Sequence, residues 1–197
     1  PAESWEVVDK TTYVFRLRKN VKFHNGEPFN GKAVEYSWKR AIEKHRANRT
    51  AFLRISKIEH VDDYTIRVST EKPDPVFLNL MATVSAAIFA PKATAEGGDE
   101  AATLKPIGTG PFILSSWVKG EHVTFKANPN YYLPDAPKVE TLVWRAIPEA
   151  AARVAALQTG QIDIALRIPP HQVGLLERDA NLKVSSALST RTYYIAF

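Results

Sequence analysis

Five histidines are the residues of this 197-residue sequence most able to carry acid–base or metal chemistry. They are His24, His45, His60, His122 and His171, and no HxxxH or HExxH spacing joins any two of them. Acids stand beside three of them, in Glu43/His45, Glu59/His60 and Glu121/His122. An offset of two residues on a helix, or of one on a strand, points such side chains apart, so the pairs read as solvated or structural. Asp62-Asp63 falls in a turn between strands, where aspartate bonds to the local backbone. A glycosidase-type carboxylate pair must instead face across a cleft. Ser115-Ser116 lacks the G-x-S-x-G elbow of an exposed nucleophile. Gly108-Thr109-Gly110-Pro111-Phe112 looks like a phosphate loop, but Pro111 removes an amide donor and no Lys-Ser/Thr follows, so a structural turn is expected. No enzyme signature and no metal or cofactor site remains.

The elements around these residues set their geometry. Trp5 and Val7, then Tyr13, Phe15 and Leu17, alternate with period two about a polar Asp9-Lys10-Thr11 turn, which predicts a hairpin. His24-Asn25-Gly26 is a turn signal. Asn30 is an N-cap candidate for a helix whose apolar face carries Val34, Trp38, Ala41, Ile42 and His45. Strands are expected over 54–59 and 64–69, then a short helix over 76–81, and a buried strand over 86–90 that Pro91 ends. Residues 96–105 read as a loop or an irregular helix. A second hairpin runs from 112–114 through Lys119-Gly120-Glu121 to 123–125. Beyond it, a strand over 141–146, an alanine-rich helix from Pro148 to Gly160 and a strand over 162–166 predict a βαβ unit on a parallel pair. A short helix over 171–178 and strands over 183–188 and 192–197 complete a mixed α and β chain.

Bulk composition narrows the class further. Hydrophobic residues make up 45% and charged residues 24%, which is ordinary for a globular domain. No run approaches the roughly 18 to 20 apolar residues of a membrane helix. Cysteine is absent, which removes disulfides and thiol chemistry. The net charge of +5 would suit an anionic partner. The one dense cluster, Lys39 to Arg49, includes Glu43 and follows Glu35, so it reads as a solvated helix face rather than a nucleic-acid surface. Pro1 opens without a signal-peptide pattern and Phe197 stops inside an apolar run, so a fragment of a longer chain is expected.

Six blocks in order carry a resemblance. They are "PAESWEVVDKTTYVFRLRKNVKFHNGEPFNGKAVEYSWKR", "VDDYTIRVSTEKPDPVFL", "PIGTGPF", "ANPNYY", "LVWRAIPEAAARVAALQTGQIDIA" and "TYYIAF". Together they span almost the whole chain, which resembles the family 5 extracellular solute-binding proteins of bacterial ABC importers. Two departures are visible. Ala33 stands where an acid would complete a capping box, and Gln161 replaces the acid of the family's T-G-E-I-D.

The resemblance implies a periplasmic-binding-protein-like α/β (mixed α+β) fold of two lobes closing on a solute. Residues 1–91 would be an extra subdomain of lobe I and 92–197 part of its main sheet, with lobe II absent. It implies a substrate-binding component that captures peptides or similar solutes outside the inner membrane and delivers them to a permease. The protein would be periplasmic or lipid-anchored, a monomer, with no cofactor and no nucleic-acid partner. A nickel chelate, glutathione, an opine or an oligosaccharide is the alternative solute, and an α+β enzyme the alternative class. Cleft candidates are Leu166, Arg167 and Ile168 at the end of the 162–166 segment, where ligands sit beyond parallel strands, and Thr50 in a loop of the extra subdomain. Arg167 is either a donor to a solute carboxylate or carbonyl, or a surface cation.

Overall fold

The structure, a computed structural model, describes residues 1–44, 52 and 54–187. Two compact units divide at Trp144/Arg145. In the first unit, β1 (Ala2–Val7) and β2 (Thr12–Leu17) form the expected hairpin, with Trp5 opposite Phe15 and Val7 opposite Tyr13. β3 (Ile55–Asp62) and β4 (Thr65–Thr70) form another, and β2 pairs antiparallel with β4. The sheet order is therefore β1-β2-β4-β3. Tyr13, Phe15 and Leu17 of β2 and Ile66 and Val68 of β4 are buried, while Arg16 and Arg67 are exposed. Period-two alternation thus points one face of the sheet at the core.

Helix α1 (Gly31–Lys44) covers that face. Its cap is the one expected, with the Ala33 amide donating to Asn30 Oδ1 at 3.2 Å. Ala33, Val34, Trp38 and Ala41 are buried, and Trp38 meets Phe15 edge to face with centroids 6.0 Å apart. Gly31 starts the helix because a Cβ there would lie 2.5 Å from His60 Cδ2 and 3.1 Å from the Asp62 carbonyl. The far end of the basic cluster, including His45 and Arg49, lies outside the described residues.

Helix α2 (Phe77–Met81) follows, then a 3₁₀ turn at Val84–Ala86 and α3 (Pro91–Leu104). The strand expected over 86–90 is not formed. The Phe89 amide donates to Ser37 Oγ at 2.9 Å, and Ser37 in turn donates to the Ala33 carbonyl at 2.8 Å. A helix side chain, rather than a neighbouring strand, satisfies the backbone there. Pro91 opens a helix instead of only ending a strand, as fits its fixed φ and missing amide. That helix is kinked at Gly98, whose φ of 69° is non-helical.

A second sheet of order β5-β6-β7 is built from β5 (Phe112–Val118), β6 (His122–Ala127) and β7 (Thr141–Arg145). In the second unit, α4 (Ala150–Gln158) ends in a Schellman pattern. Gly160 (φ 70°) donates to the Leu157 carbonyl and Gln161 to that of Ala156 at 2.8 Å. Helix α5 (Pro170–Leu176) comes next. Residues 162–166 are not a strand, so the parallel pair expected between 141–146 and 162–166 is not formed. The Ile162 amide turns back to the Ala156 carbonyl at 3.3 Å rather than joining a ladder. Residues 183–187 are likewise not in a strand, and 192–197 lie outside the described residues.

The start of α3 is capped from far away in sequence. Glu27 accepts hydrogen bonds from the Lys92 amide at 2.9 Å and the Ala93 amide at 3.1 Å, and Asn25 braces it at 2.6 Å. Burial pushes the Glu27 carboxyl up, but the Lys92, Asn25 and Ala93 donors outweigh it and hold the group below its ordinary value. A lowered folded-state value means this stabilisation is present above the unfolded glutamate value of about 4.3 and is lost as pH falls through the folded one. Glu27→Gln should therefore cost roughly 0.5–2 kcal/mol at neutral pH, the span of a weakened helix cap. Its stability should also decline less than that of the wild type on acidification to about pH 3. Urea titrations at both pH values check this, and an equal deficit at both would refute it.

Candidate functional site

Two groups of side chains bring distant segments together, one in each unit. In the first unit, His24 sits on the Phe23–Glu27 turn that Gly26 permits by its φ of 88°. Gly108 donates its amide to His24 Nδ1 at 3.4 Å, and His24 Nε2 lies 3.0 Å from the Gly110 carbonyl. With Gly108 donating to Nδ1, Nε2 is the nitrogen that can donate to the Gly110 carbonyl. The His24 amide also donates to the Gly108 carbonyl at 2.9 Å. On the other side, Asn128 Nδ2 donates to the Gly110 carbonyl at 3.0 Å, and the Asn128 amide to that of Pro111 at 2.8 Å. The segment read as a structural turn is thus held by a histidine and an asparagine.

A cavity of about 510 Å³ opens beside this junction, with His24, Ile107, Ser115, Ser116 and Trp117 among its lining residues. Serine and histidine are the residue types of nucleophilic catalysis. Both nitrogens of His24 are committed to backbone groups, however, so this imidazole has no lone pair left for a serine proton. Among the described residues no group of three His, Asp or Glu side chains could hold a metal ion. The Asp62-Asp63 pair serves a hairpin turn, as expected, with the Tyr64 amide donating to Asp62 Oδ1 at 2.8 Å.

In the second unit, Leu166, Arg167 and Ile168 form one bend. Leu166 and Arg167 are exposed and Ile168 is half-buried. Arg167 takes a φ of 58°, a left-handed conformation that costs a side-chain-bearing residue roughly 1–2 kcal/mol. Arg153 of α4 holds it there. Its Nη2 donates to the Arg167 carbonyl at 3.1 Å, while Nη1 donates to the carbonyls of Ile147 at 2.8 Å and Pro148 at 2.7 Å. The guanidinium therefore ties the loop before α4 to the bend after it. Thr50, the remaining candidate, lies outside the described residues.

Arg153 escaped the sequence reading because it lies off the apolar face of its helix. The available signal was a cation close to a helix N-terminus, where the dipole disfavours positive charge and a specific partner must compensate.

The family described as "Bacterial extracellular solute-binding proteins, family 5 Middle" matches residues 1–197. The glutathione-binding protein GsiB of Escherichia coli O1:K1 is 33% identical over 198 residues, covering 99% of this chain and 38% of the relative. The chain thus spans about two fifths of the length of such curated relatives. Among solved structures, the agropinic acid complex of AgaA from A. tumefaciens R10 superposes with a TM-score of 0.85 at 26% identity, covering 91% of this chain and 37% of that one. The Helicobacter pylori periplasmic binding protein DppA, in complex with the peptide STSA, gives a TM-score of 0.81 at 29% identity, covering 91% and 40%.

If His24 is the strut of the first junction, His24→Ala should destabilise the protein by roughly 1–3 kcal/mol, the span for stranding partly buried polar partners. Denaturant unfolding of the variant reads this directly. A change within experimental error would mean that Asn128 alone holds the turn.

Proposed function

Because the chain belongs to the family 5 bacterial extracellular solute-binding proteins, we propose that the whole protein captures a peptide or similar small solute for an ABC importer. It works outside the inner membrane, in the periplasm or anchored there by lipid, and hands its solute to the permease as a monomer. It is not an enzyme. The match over the full chain carries this reading. The committed nitrogens of His24 support it from the chemical side. Among the described residues no helix is long and apolar enough to cross a membrane, which suits a protein that meets the permease from outside.

Residues 1–91 act as the extra subdomain of lobe I and 92–197 as part of its main layer. Leu166, Arg167 and Ile168 line the solute cleft, with Arg167 donating to a carboxylate or carbonyl; Thr50 is the second contact. Capture proceeds by closure of two lobes, because a solute bridging both binds the closed state better than the open one. Relatives named for glutathione, a peptide and an opine acid favour a solute with a carboxylate and a peptide-like body. Glutathione is itself a tripeptide, so it stands among the first solutes to try.

Thermal shift of the full-length gene product against short peptides, glutathione, opines, oligosaccharides and nickel–histidine separates the solutes, since a specific ligand raises the melting temperature. A rise with a peptide-like acid is expected, and a rise only with a sugar would overturn the peptide reading. The 197-residue chain by itself should bind such solutes far more weakly. Calorimetry showing affinity of about 1 μM, roughly −8 kcal/mol, for this chain alone would contradict two-lobe capture.

A further inference from the structure

We infer that Arg153 is a positioning residue that makes the bend at Arg167 selective for solutes bearing a free carboxylate. This rests on the proposed solute-binding function and deepens it. Three observations carry the inference, all within the second unit.

The first is geometric. Arg153 spends both terminal nitrogens on three backbone carbonyls, those of Ile147, Pro148 and Arg167. These carbonyls come from both sides of α4, so the guanidinium fixes the bend relative to the helix. Only a planar fork with donors in several directions can do this, and a lysine ammonium lacks that geometry.

The second is conformational. Arg167 stands at a φ of 58° without being glycine, asparagine or aspartate. A left-handed residue of this kind persists only where its surroundings over-determine it, and such residues cluster at functional sites. The carbonyl that Arg153 grips belongs to Arg167 itself. Release of that bond lets the backbone relax toward negative φ and re-aims the exposed side chain.

The third is electrostatic. Neither Arg153 nor Arg167 makes an ion pair among the described residues, and Arg153 Nε is buried with no hydrogen-bond partner. Carbonyl ligation satisfies the donors of a guanidinium without cancelling its charge. Two cations thus share one bend and favour a bound anion. A carboxylate accepts the paired N–H donors of Arg167 side by side, whereas a carboxamide offers one neutral oxygen.

The test compares a tripeptide with its C-terminally amidated form, by calorimetry on the full-length protein. The wild type should prefer the free acid by roughly tenfold or more, the range for a hydrogen bond to a charged group. In Arg153→Lys this preference should collapse toward unity with the melting temperature little changed, as it should in Arg167→Gln. A purely architectural Arg153 would weaken both peptides alike and leave their ratio intact, which would overturn the inference. Arg153→Gln, which loses the charge but keeps a donor, should also lose the preference and serves if the lysine variant folds poorly. Wild-type protein that binds neither peptide would overturn the peptide function and this assignment together. A free-acid preference that survives at Arg153→Lys would overturn this assignment alone.

Discussion

His24 bridges Gly108 and Gly110, accepting at Nδ1 and facing the Gly110 carbonyl with Nε2, and this bridge ties the turn before α1 to the segment before β5. The residue sits between β2 and α1 in sequence, so the bridge fixes where the chain re-enters before β5. Three positions later on the same turn, Glu27 caps α3. The intervening Gly26 supplies the positive φ that lets both side chains leave the turn toward different elements. Phe23 and Phe29, which flank the turn, are buried with ring centroids 6.0 Å apart. One short loop therefore couples the antiparallel sheet, a helix and the start of the second sheet.

The same device recurs where secondary structure is sparse. Ser37 holds the 87–90 segment, Tyr13 donates to the Asp74 carbonyl at 3.0 Å, and Asn128 takes the Gly110 carbonyl. In each case a side chain on, or just after, a regular element binds the backbone of a connecting segment. The division of labour follows from magnitudes. Each large apolar side chain buried under α1 contributes about 1.5–3 kcal/mol. A side chain–backbone hydrogen bond contributes only about 1 kcal/mol net, but leaving its buried partner unmade costs more. Burial stabilises the unit, and the clamps decide which single path its loops take.

This division explains what could be read from the sequence. β2 and β4 were legible because one face of each is buried and the alternation is strong. The start of α1 was legible because Asn30 caps it locally. The segments 86–90 and 162–166 are short apolar runs, and such runs become strands only where another strand completes the ladder. Here Ser37 and Ala156 bind those backbones first. The cap on α3 was illegible for a related reason, since Glu27 lies 65 residues before Lys92. The family resemblance pointed to Leu166, Arg167 and Ile168, while the residue that shapes their bend, Arg153, carried only a weak local signal. Pattern shows what an element buries, and a clamp between distant segments leaves almost no pattern.

On the proposed reading of the bend as a solute contact, the chemistry of the Arg153 clamp bears on which solutes suit it. An acidic partner would have fixed the same backbone less well, since a carboxylate has no proton to donate to a carbonyl, and it would have neutralised the neighbouring Arg167. A lysine could reach one or two carbonyls but not span both sides of α4. Arginine meets all three requirements: several directed donors, a permanent charge and weak hydration that tolerates partial burial. If the bend belongs to the solute site, as proposed, such a corner disfavours a bare metal cation and gives an uncharged sugar no electrostatic advantage. A chelated metal would then need a ligand that presents a carboxylate outward, the group that peptides, glutathione and opine acids share.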